Sequence, residues 1–235
     1  MSDWRDPAGY AYCAALTRDQ WAWEFLRRNP DYHADYARFI AIWRALEADY
    51  GAPPGRDFTR WKADPRAYGP LPDSESDVAS TGVNCTVDDD RVLLECWMGA
   101  RWGYYKFPLA PDVVAPGEEA LSWRPPPPAP LREPDDPLRL DLAFDLALPL
   151  APQFDAARLK LASRLAELRR GGHVVPLTLA NQRASWREEL RLLDAHADGA
   201  TTAAMSGAGL TPGRLPEALA RRASGYRELL RLPQD

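Results

Sequence analysis

Long apolar runs are missing from this sequence, since none approaches the ~20 residues that a membrane-spanning helix needs. Its first residues, MSDWRD, lack the basic-then-apolar pattern of a secretion signal, so we expect a cytoplasmic protein with no membrane contact. Cysteine is also scarce. Cys13, Cys85 and Cys96 are odd in number and show no C-x-x-C spacing, which predicts small buried side chains rather than a disulfide framework or a zinc knuckle.

The common enzyme motifs are also missing. The sequence contains no G-x-G-x-x-G, no phosphate-binding loop with Gly-Lys-Ser/Thr, no G-x-S-x-G and no H-E-x-x-H. Its three histidines, His33, His173 and His196, lie far apart along the chain. Asp88-Asp89-Asp90 is interpreted as a solvated turn, because neighbouring acids in a turn point in different directions and no calcium-loop spacing follows. We therefore predict a protein that is not an enzyme and that has no metal and no cofactor.

Charge is unevenly distributed along the chain. The formal net charge is -5, and only Lys62, Lys106 and Lys160 among the 29 basic residues are lysine. Residues 1–150 carry 16 basic against 25 acidic side chains, or -9, whereas residues 151–235 carry 13 against 9, or +4. An acidic N-terminal part and a mildly basic C-terminal part fit a C-terminal module that contacts a polyanion, although a net charge of +4 is small for a nucleic-acid binder.

The composition, 46% hydrophobic and 27% charged over 235 residues, is typical of a folded globular chain. The 23 prolines are the exception, and their cluster at residues 125–130 predicts a linker. We predict an α+β, mostly helical protein with an N-terminal helical hairpin, a small antiparallel sheet and a C-terminal variant helix-turn-helix. The predicted modules are residues 1–82, residues 83–150 and residues 151–235.

The N-terminal hairpin is predicted from two helical patterns. Thr17 and Gln20 have the spacing of a capping box, and an aromatic helix follows that ends or bends at Asn29-Pro30. A second helix is predicted over 31–50, ending at Gly51. The aromatics between residues 21 and 43 resemble a platform for stacking bases, but their helical spacing favours a packed core.

The middle of the chain predicts loops and short strands. Residues 52–82 alternate turn formers with single aromatics, so little regular structure is expected there. An alternating pattern predicts an antiparallel meander with strands at residues 83–87, 91–97 and 102–107. The same pattern predicts a further strand over 138–146.

Helical spacing returns in the last third of the sequence. A helix is predicted over 156–170 with Asp155 as its cap, and a second helix contains Trp186 and ends near Gly199. A short helix over 201–206, a glycine-containing loop and a last helix over 216–232 complete the chain. Helix, turn, short helix, turn and longer helix is the layout of a helix-turn-helix module, although a plain three-helix packing module has the same layout.

We interpret two sets of residues in this region as candidate DNA contacts. Arginines are predicted to bind phosphates or base edges because the planar guanidinium fits both; they are Arg214, Arg221, Arg222 and Arg227. Hydroxyl groups are predicted to position the DNA backbone; they are Thr201, Thr202, Ser206 and Thr211. Each of these residues is equally consistent with a solvated surface position.

Several segments resemble a known proteobacterial family. DWRDPAGYAY at residues 3–12 and WAWEFLRRNPDY at residues 21–32 resemble its N-terminal transcriptional-regulator-like module. LAFDL at residues 142–146, PLAPQFDAAR at residues 149–158 and GYRELL at residues 225–230 are similar to its C-terminal RovC-like DNA-binding domain. The resemblance covers nearly the whole chain and is weakest between residues 52 and 135.

This resemblance implies a transcription activator of type VI secretion genes or of the transfer genes of integrative and conjugative elements. It implies binding to double-stranded promoter DNA as a homo-oligomer, without a cofactor, with RNA polymerase and a small antiactivator protein as further partners. Family members usually have a more basic helix-turn-helix than residues 199–209 of this chain, which are small and uncharged apart from their flanks. A protein-binding regulator, either an antiactivator or a scaffold, with weak or no DNA binding is therefore the alternative.

Overall fold

The computed structural model describes residues 3–70, 86–88, 91–105, 107–126, 132–174 and 178–233. The fold is α+β and mostly helical, as predicted. The chain forms two compact units, one of residues 1–127 together with 178–235, and the other of residues 128–177. The border at residues 127–128 falls within the proline cluster. The division into modules of residues 1–82, 83–150 and 151–235 stays a prediction.

The two helices of the predicted N-terminal hairpin are present, and a 3-10 helix that was not predicted precedes them. A 3-10 helix spans Pro7–Ala15, α1 spans Arg18–Leu26 and α2 spans Pro30–Tyr50. Thr17 and Gln20 form the predicted capping box at the start of α1, which satisfies two otherwise unpaired donors. Asn29 caps α2, and Pro30 occupies its first turn, where a missing N–H costs nothing.

The segment predicted as a loop, residues 52–82, contains regular structure in its described part. Helix α3 spans Phe58–Ala63 and is capped by Asp57, a 3-10 helix spans Pro65–Ala67, and strand β1 spans Tyr68–Pro70. The prediction of sparse structure was wrong here because Trp61 packs into a small core with Leu46 of α2, which stabilises a helix of only six residues.

Strands β2, Thr86–Asp88, and β3, Arg91–Leu93, pair antiparallel. Strand β3 also pairs with β1, so the described residues form a three-stranded sheet in the order β1-β3-β2, with Gly69 opposite Val92. The predicted strand over 91–97 ends at Leu93. The predicted strand over 102–107 was wrong as well, because its described residues contribute only an isolated bridge between Tyr104 and Trp123.

Helix α4, Leu94–Trp102, replaces the rest of the predicted meander. Leu94, Met98 and Trp102 are buried and lie four residues apart, which is the spacing of one helix face. This spacing competes with the short alternating pattern, and burial of the three side chains decides in favour of the helix. Gly103 ends α4 in a left-handed conformation, with a φ of 86°.

The aromatic residues of α1 and α2 form the centre of the main core, as predicted. Trp21, Trp23, Phe25, Tyr32 and Phe39 are completely buried. The same core contains side chains from α4 and from the helices after residue 178. The interpretation of the aromatics as a packed core rather than a base-stacking platform is confirmed.

The second unit consists of an irregular segment followed by α5, Leu150–Arg170. The strand predicted over 138–146 was wrong, because these residues have no neighbouring strand to pair with. Asp155 lies inside α5 rather than at its cap, since the helix begins at Leu150. Leu168 is the only buried residue among the described residues of this unit.

The C-terminal region contains α6, Leu179–Ala197, and α7, Thr202–Gly207. A 3-10 turn at Pro212–Arg214 leads into α8, Leu215–Ala220. The last predicted helix, 216–232, is divided by a π-helical turn at Arg221–Gly225, after which α9 spans Tyr226–Leu229.

Cys13 is buried and carries a free thiol, as predicted. Cys96 is half-buried and disulfide-bonded, so the prediction of a small buried side chain without a disulfide was wrong for it. Cys85 and the predicted turn residues Asp89 and Asp90 lie outside the described residues. No helix in the described part of the chain is long and apolar enough to cross a membrane.

Candidate functional site

Helices α6, α7 and α8 follow one another through two tight turns. Gly199 and Gly209 end α6 and α7 with φ angles of 70° and 75°, a conformation that side chains other than glycine disfavour. Thr201 caps α7, since its Oγ1 accepts a hydrogen bond from the N–H of Ala204 at 3.2 Å. The predicted helices and turns of this region are therefore present.

A separate small core holds the three helices together. Leu192 of α6, Met205 of α7 and Leu210 of the following turn are buried against one another, and Trp4 from the N-terminal segment completes this core. Arg191 links the same parts, because its guanidinium donates to the carbonyl oxygens of Trp4 and Ala208 at 2.9 and 3.2 Å. The N-terminal segment is thus part of the packing of α6 and α7.

The four predicted hydroxyl residues, Thr201, Thr202, Ser206 and Thr211, are all exposed. The neighbouring residues on α7 and in the following turn have mostly small, uncharged side chains. We call the surface formed by these four residues the hydroxyl face. The backbone N–H of Thr211 donates to Glu188 Oε1 at 2.7 Å, which fixes the turn to α6.

Arg214 and Arg221 share a buried partner. Glu189 of α6 is completely buried, and its two carboxylate oxygens bind Arg214 Nη2 at 2.8 Å and Arg221 Nε at 2.7 Å. Arg214 also binds Glu188 at 2.9 Å. A carboxylate without compensation is costly in a protein interior, so both guanidinium groups neutralise Glu189. These two arginines are about one-quarter exposed and are held against α6.

Arg222 and Arg227 have different environments from this pair. Both are half-buried. Burial lowers the pKa of Arg222, and the nearby charge of Asp31 opposes this effect in part. Arg227 donates from Nη2 to the carbonyl oxygen of Arg101 and from Nε to the Tyr226 hydroxyl at 3.3 Å. Arg222 is therefore the candidate arginine whose guanidinium is least committed to the fold.

A π-helical turn begins at Arg221 and includes Arg222. A regular helix rotates by ~100° per residue, so both side chains cannot point directly at one groove. Arg221, the first residue of the turn, binds Glu189, and its guanidinium carbon lies 5.6 Å from the ring centre of Trp186. Such turns recur at functional positions of helices.

A buried network of charges between α1 and α6 was not predicted from the sequence. Arg28 binds Asp194 through two nitrogens, Nε and Nη2, at 2.8 and 3.1 Å, and it binds Glu24 through Nη1 at 2.6 Å. Arg27 binds Glu24 at 2.8 Å. The i, i+3 and i, i+4 spacing of Glu24, Arg27 and Arg28 was a usable signal for the local pairs. No sequence signal connects them to Asp194, which is 166 residues away from Arg28.

Two tyrosines complete this network. Tyr10 donates to Asp194 Oδ2 at 2.5 Å, and Tyr12 donates to Glu24 Oε2 at 2.8 Å. Burial raises the pKa of both hydroxyl groups and the facing carboxylates raise it further, so both stay protonated donors. Burial by itself raises the pKa of Glu24, but the charges of Arg28 and Arg27 outweigh it and hold this pKa below its usual value.

The described residues contain no group of three or more His, Cys, Asp and Glu side chains that would hold a metal ion.

Comparison with known proteins identifies one segment. Residues 3–61 match the family model described as the Proteobacterial transcriptional regulator-like domain. Neither the curated proteins nor the solved structures provide a match to the chain. The matched segment supports a role in transcription regulation. It also contains Trp4, Tyr10 and Arg28, which contact α6.

Proposed function

We propose that the protein is a sequence-specific transcription activator that binds double-stranded promoter DNA in the cytoplasm. The observation that carries this proposal is the succession of α6, α7 and α8 through two short turns, combined with the regulator-like segment at residues 3–61. A helix-turn-helix module binds DNA with the N-terminal part of its last helix in the major groove and with the preceding helix on the backbone.

In this proposal the hydroxyl face approaches the DNA backbone. Thr202 and Ser206 lie on α7, and both are exposed and uncommitted to the small core around Met205. Short side chains allow the peptide backbone to come close to phosphates, where N–H and O–H groups donate hydrogen bonds. The contact is mostly uncharged, so we expect a weak salt dependence for a DNA-binding protein.

The four arginines divide into two roles under this proposal. Arg214 and Arg221 position α8 by binding Glu189. Arg222 contributes a phosphate contact, and Arg227 orders the end of the helical region through Tyr226. Removing a phosphate contact weakens binding to all sequences and lowers the salt slope by about one unit.

The test compares Arg222→Ala with Arg38→Ala, which removes an exposed arginine of α2. Both variants and the unchanged protein are titrated onto a labelled DNA duplex at several salt concentrations, with fluorescence anisotropy as the readout. We expect a shallower slope of log K against log salt for Arg222→Ala only. Equal slopes for the unchanged protein and for Arg222→Ala contradict the proposed phosphate contact.

We also propose that the protein acts as a homo-oligomer through α5. Leu150, Phe154, Leu161 and Leu165 lie within a narrow arc of this helix and are exposed by 42, 56, 50 and 37%. The second unit has little core of its own, so burial of this stripe against another copy of the chain would stabilise it. Light scattering of the Leu161→Ser/Leu165→Ser variant tests this. A mass equal to that of the unchanged oligomer contradicts it.

The second candidate function is a protein-binding regulator, either an antiactivator or a scaffold. It is favoured by the ion pairs of Arg214 and Arg221 with Glu189, which withdraw two arginines from DNA, and by the exposed stripe of α5. This candidate predicts no DNA binding above background in the anisotropy titration. It predicts instead a stable complex with a protein of the transcription machinery, RNA polymerase or a related activator.

The genes under control are part of the same proposal. The resemblance to activators of type VI secretion and of integrative and conjugative elements directs the search for promoters to those two classes of genes. A small antiactivator protein is the expected negative regulator. Sequencing of RNA from cells with and without the chain tests this, since unchanged transcripts of both gene classes contradict it.

A further inference from the structure

A cleft lies beside α2 in the larger unit. Its volume is about 830 Å³, which is within the range that encloses a small organic molecule. One wall is α2, with Tyr36 and Ile40, and the opposite wall is the segment 110–114, with Asp112 and Val114. No function described above uses this cleft.

Hydrogen bonds hold the second wall in place. The Tyr32 hydroxyl donates to the carbonyl oxygen of Leu109 at 2.6 Å, and the indole N–H of Trp23 donates to the carbonyl oxygen of Val113 at 2.9 Å. Both donors belong to the main core. The wall is therefore fixed at its start and near its end, and the cleft is formed before any ligand enters, which lowers the entropic cost of binding.

The cleft has an apolar body and, at its other end, an arginine with one uncommitted N–H-bearing nitrogen. Ile40 is partly exposed and Val114 is 52% exposed, so apolar surface faces the opening. Arg27 and Arg28 line the other end. Arg28 is fully engaged by Glu24 and Asp194, whereas Arg27 binds through Nε and Nη2, and its Nη1 has no hydrogen-bond partner within the described part of the chain.

His33 adds a second polar group at this end. Its Nε2 lies 2.6 Å from the carbonyl oxygen of Arg27, and a carbonyl oxygen only accepts, so Nε2 carries the proton and donates. The Nδ1 atom is then the remaining polar atom of the ring. Asp112 is the one carboxylate among the side chains that line the cleft, and it faces Tyr36 on the opposite wall.

We propose that this cleft binds a small amphipathic monoanion, an apolar molecule with a single carboxylate or sulfonate group. The apolar part lies against Ile40 and Val114, and the anionic group accepts a charge-assisted hydrogen bond from Arg27 Nη1. Asp112 disfavours ligands with a second negative group near the opening. Binding of this kind goes beyond the proposed DNA contact and does not depend on it.

The test uses the full-length protein and the fluorescent probe 1-anilinonaphthalene-8-sulfonate, which is apolar and carries one sulfonate. Val114→Asp adds a carboxylate inside the cleft, and Val113→Asp is its matched control. Val113 is also exposed, lies next to Val114, and does not line the cleft, and its contact with Trp23 uses the backbone oxygen only. We expect Val114→Asp to raise the dissociation constant of the probe about tenfold or more, since the new carboxylate repels the sulfonate of the probe.

Ala37→Trp provides an independent variant, because Ala37 is exposed on α2 and a larger side chain there fills the cleft without removing a buried contact. Ala37→Trp is expected to weaken binding of the probe as strongly as Val114→Asp does, while Val113→Asp leaves the dissociation constant unchanged. Probe binding to the apolar stripe of α5 is equal in all variants and therefore cancels. Equal dissociation constants for Val114→Asp and Val113→Asp, or the absence of saturable binding to the unchanged protein, overturn the proposal.

The anionic requirement is tested by displacement. Decanoate is expected to displace the probe, whereas decan-1-ol at the same concentration, which has the same apolar chain without the charge, displaces much less. Bound decanoate is also expected to raise the melting temperature of the unchanged protein and not that of Val114→Asp. Equal displacement by the acid and the alcohol overturns the assignment of a monoanion.

Discussion

The buried pair of Arg28 and Asp194 gives the sharpest prediction about stability. Asp194 is 3% exposed, and both of its oxygens bind Arg28, at 2.8 and 3.1 Å. Two guanidinium groups, those of Arg27 and Arg28, and two carboxylates, those of Glu24 and Asp194, balance in this network. Asp194→Asn keeps the size of the side chain but leaves one buried positive charge without compensation.

The expected loss of unfolding free energy is about 3 to 5 kcal/mol, the range observed when one partner of a buried ion pair is removed. For a chain of this length, 1 kcal/mol corresponds to about 2 to 4 °C, so the melting temperature should fall by about 6 to 20 °C. Urea unfolding followed by tryptophan fluorescence measures the change. Most of the tryptophans are buried, so the signal reports the main core.

Asp198→Asn is the matched control, because Asp198 is exposed at the end of the same helix. It should change the unfolding free energy by less than about 0.5 kcal/mol. A loss below about 1 kcal/mol for Asp194→Asn would refute the reasoning, since it would mean that water or a rearranged side chain compensates Arg28. The double variant Arg28→Met/Asp194→Leu should lose less than Asp194→Asn does, because it leaves no unpaired charge.

Three further predictions concern other buried groups. The pKa of Glu24 is held below its usual value of 4.5 in spite of its burial, so its ion pairs stabilise the fold above about pH 4.5 and this contribution is lost as the pH falls. The difference in melting temperature between the unchanged protein and Glu24→Gln should therefore shrink below that pH. A difference that stays constant with pH contradicts the assignment. Burial, and to a smaller extent the charge of Glu24, raises the pKa of the Cys13 thiol to about 11. A thiol reagent at pH 8 should therefore label Cys13 only after denaturant is added. Rapid labelling of the native protein would show instead that the thiol is accessible. Glu189→Gln should destabilise the protein by about 3 kcal/mol, because Arg214 and Arg221 lose their shared partner, while an unchanged urea midpoint would mean that neither arginine depends on it.

Local signals predicted α1, α2, α6 and α7, whereas α3 and α4 were missed. The capping box at Thr17, the proline at the start of α2 and the glycines after α6 and α7 act within a few residues, so their effect can be read from the sequence. The aromatic spacing of α1 and α2 also predicted burial correctly, because a stripe on one helix face has few other uses in a globular chain.

Strand predictions were less accurate for a physical reason. An alternating pattern describes one strand, whereas a strand is stable only when a second strand pairs with it. Residues 138–146 alternate but have no such neighbour, and residues 94–97 join a helix because Leu94, Met98 and Trp102 are buried together. Both outcomes depend on contacts with distant parts of the chain.

The candidate site was predictable in outline only. The hydroxyl residues are exposed, as a contact surface requires, and the helical layout is present. The partners of the arginines were not predictable, because Glu189 lies 25 residues before Arg214 and 32 before Arg221. The pairing of Arg28 with Asp194 and the cleft beside α2 likewise arise only when the chain is folded.

Binding of the full-length protein to sheared DNA from its own genome tests the central claim most directly. The recovered fragments are sequenced after binding at two salt concentrations. The variant Thr202→Glu places a negative charge on the hydroxyl face, and Thr59→Glu, at an exposed position on α3, is its control. The account predicts a few enriched promoter fragments that persist at the higher salt for the unchanged protein and for Thr59→Glu, and that disappear for Thr202→Glu. Uniform recovery that is lost at the higher salt, or the same fragments with Thr202→Glu, would contradict it.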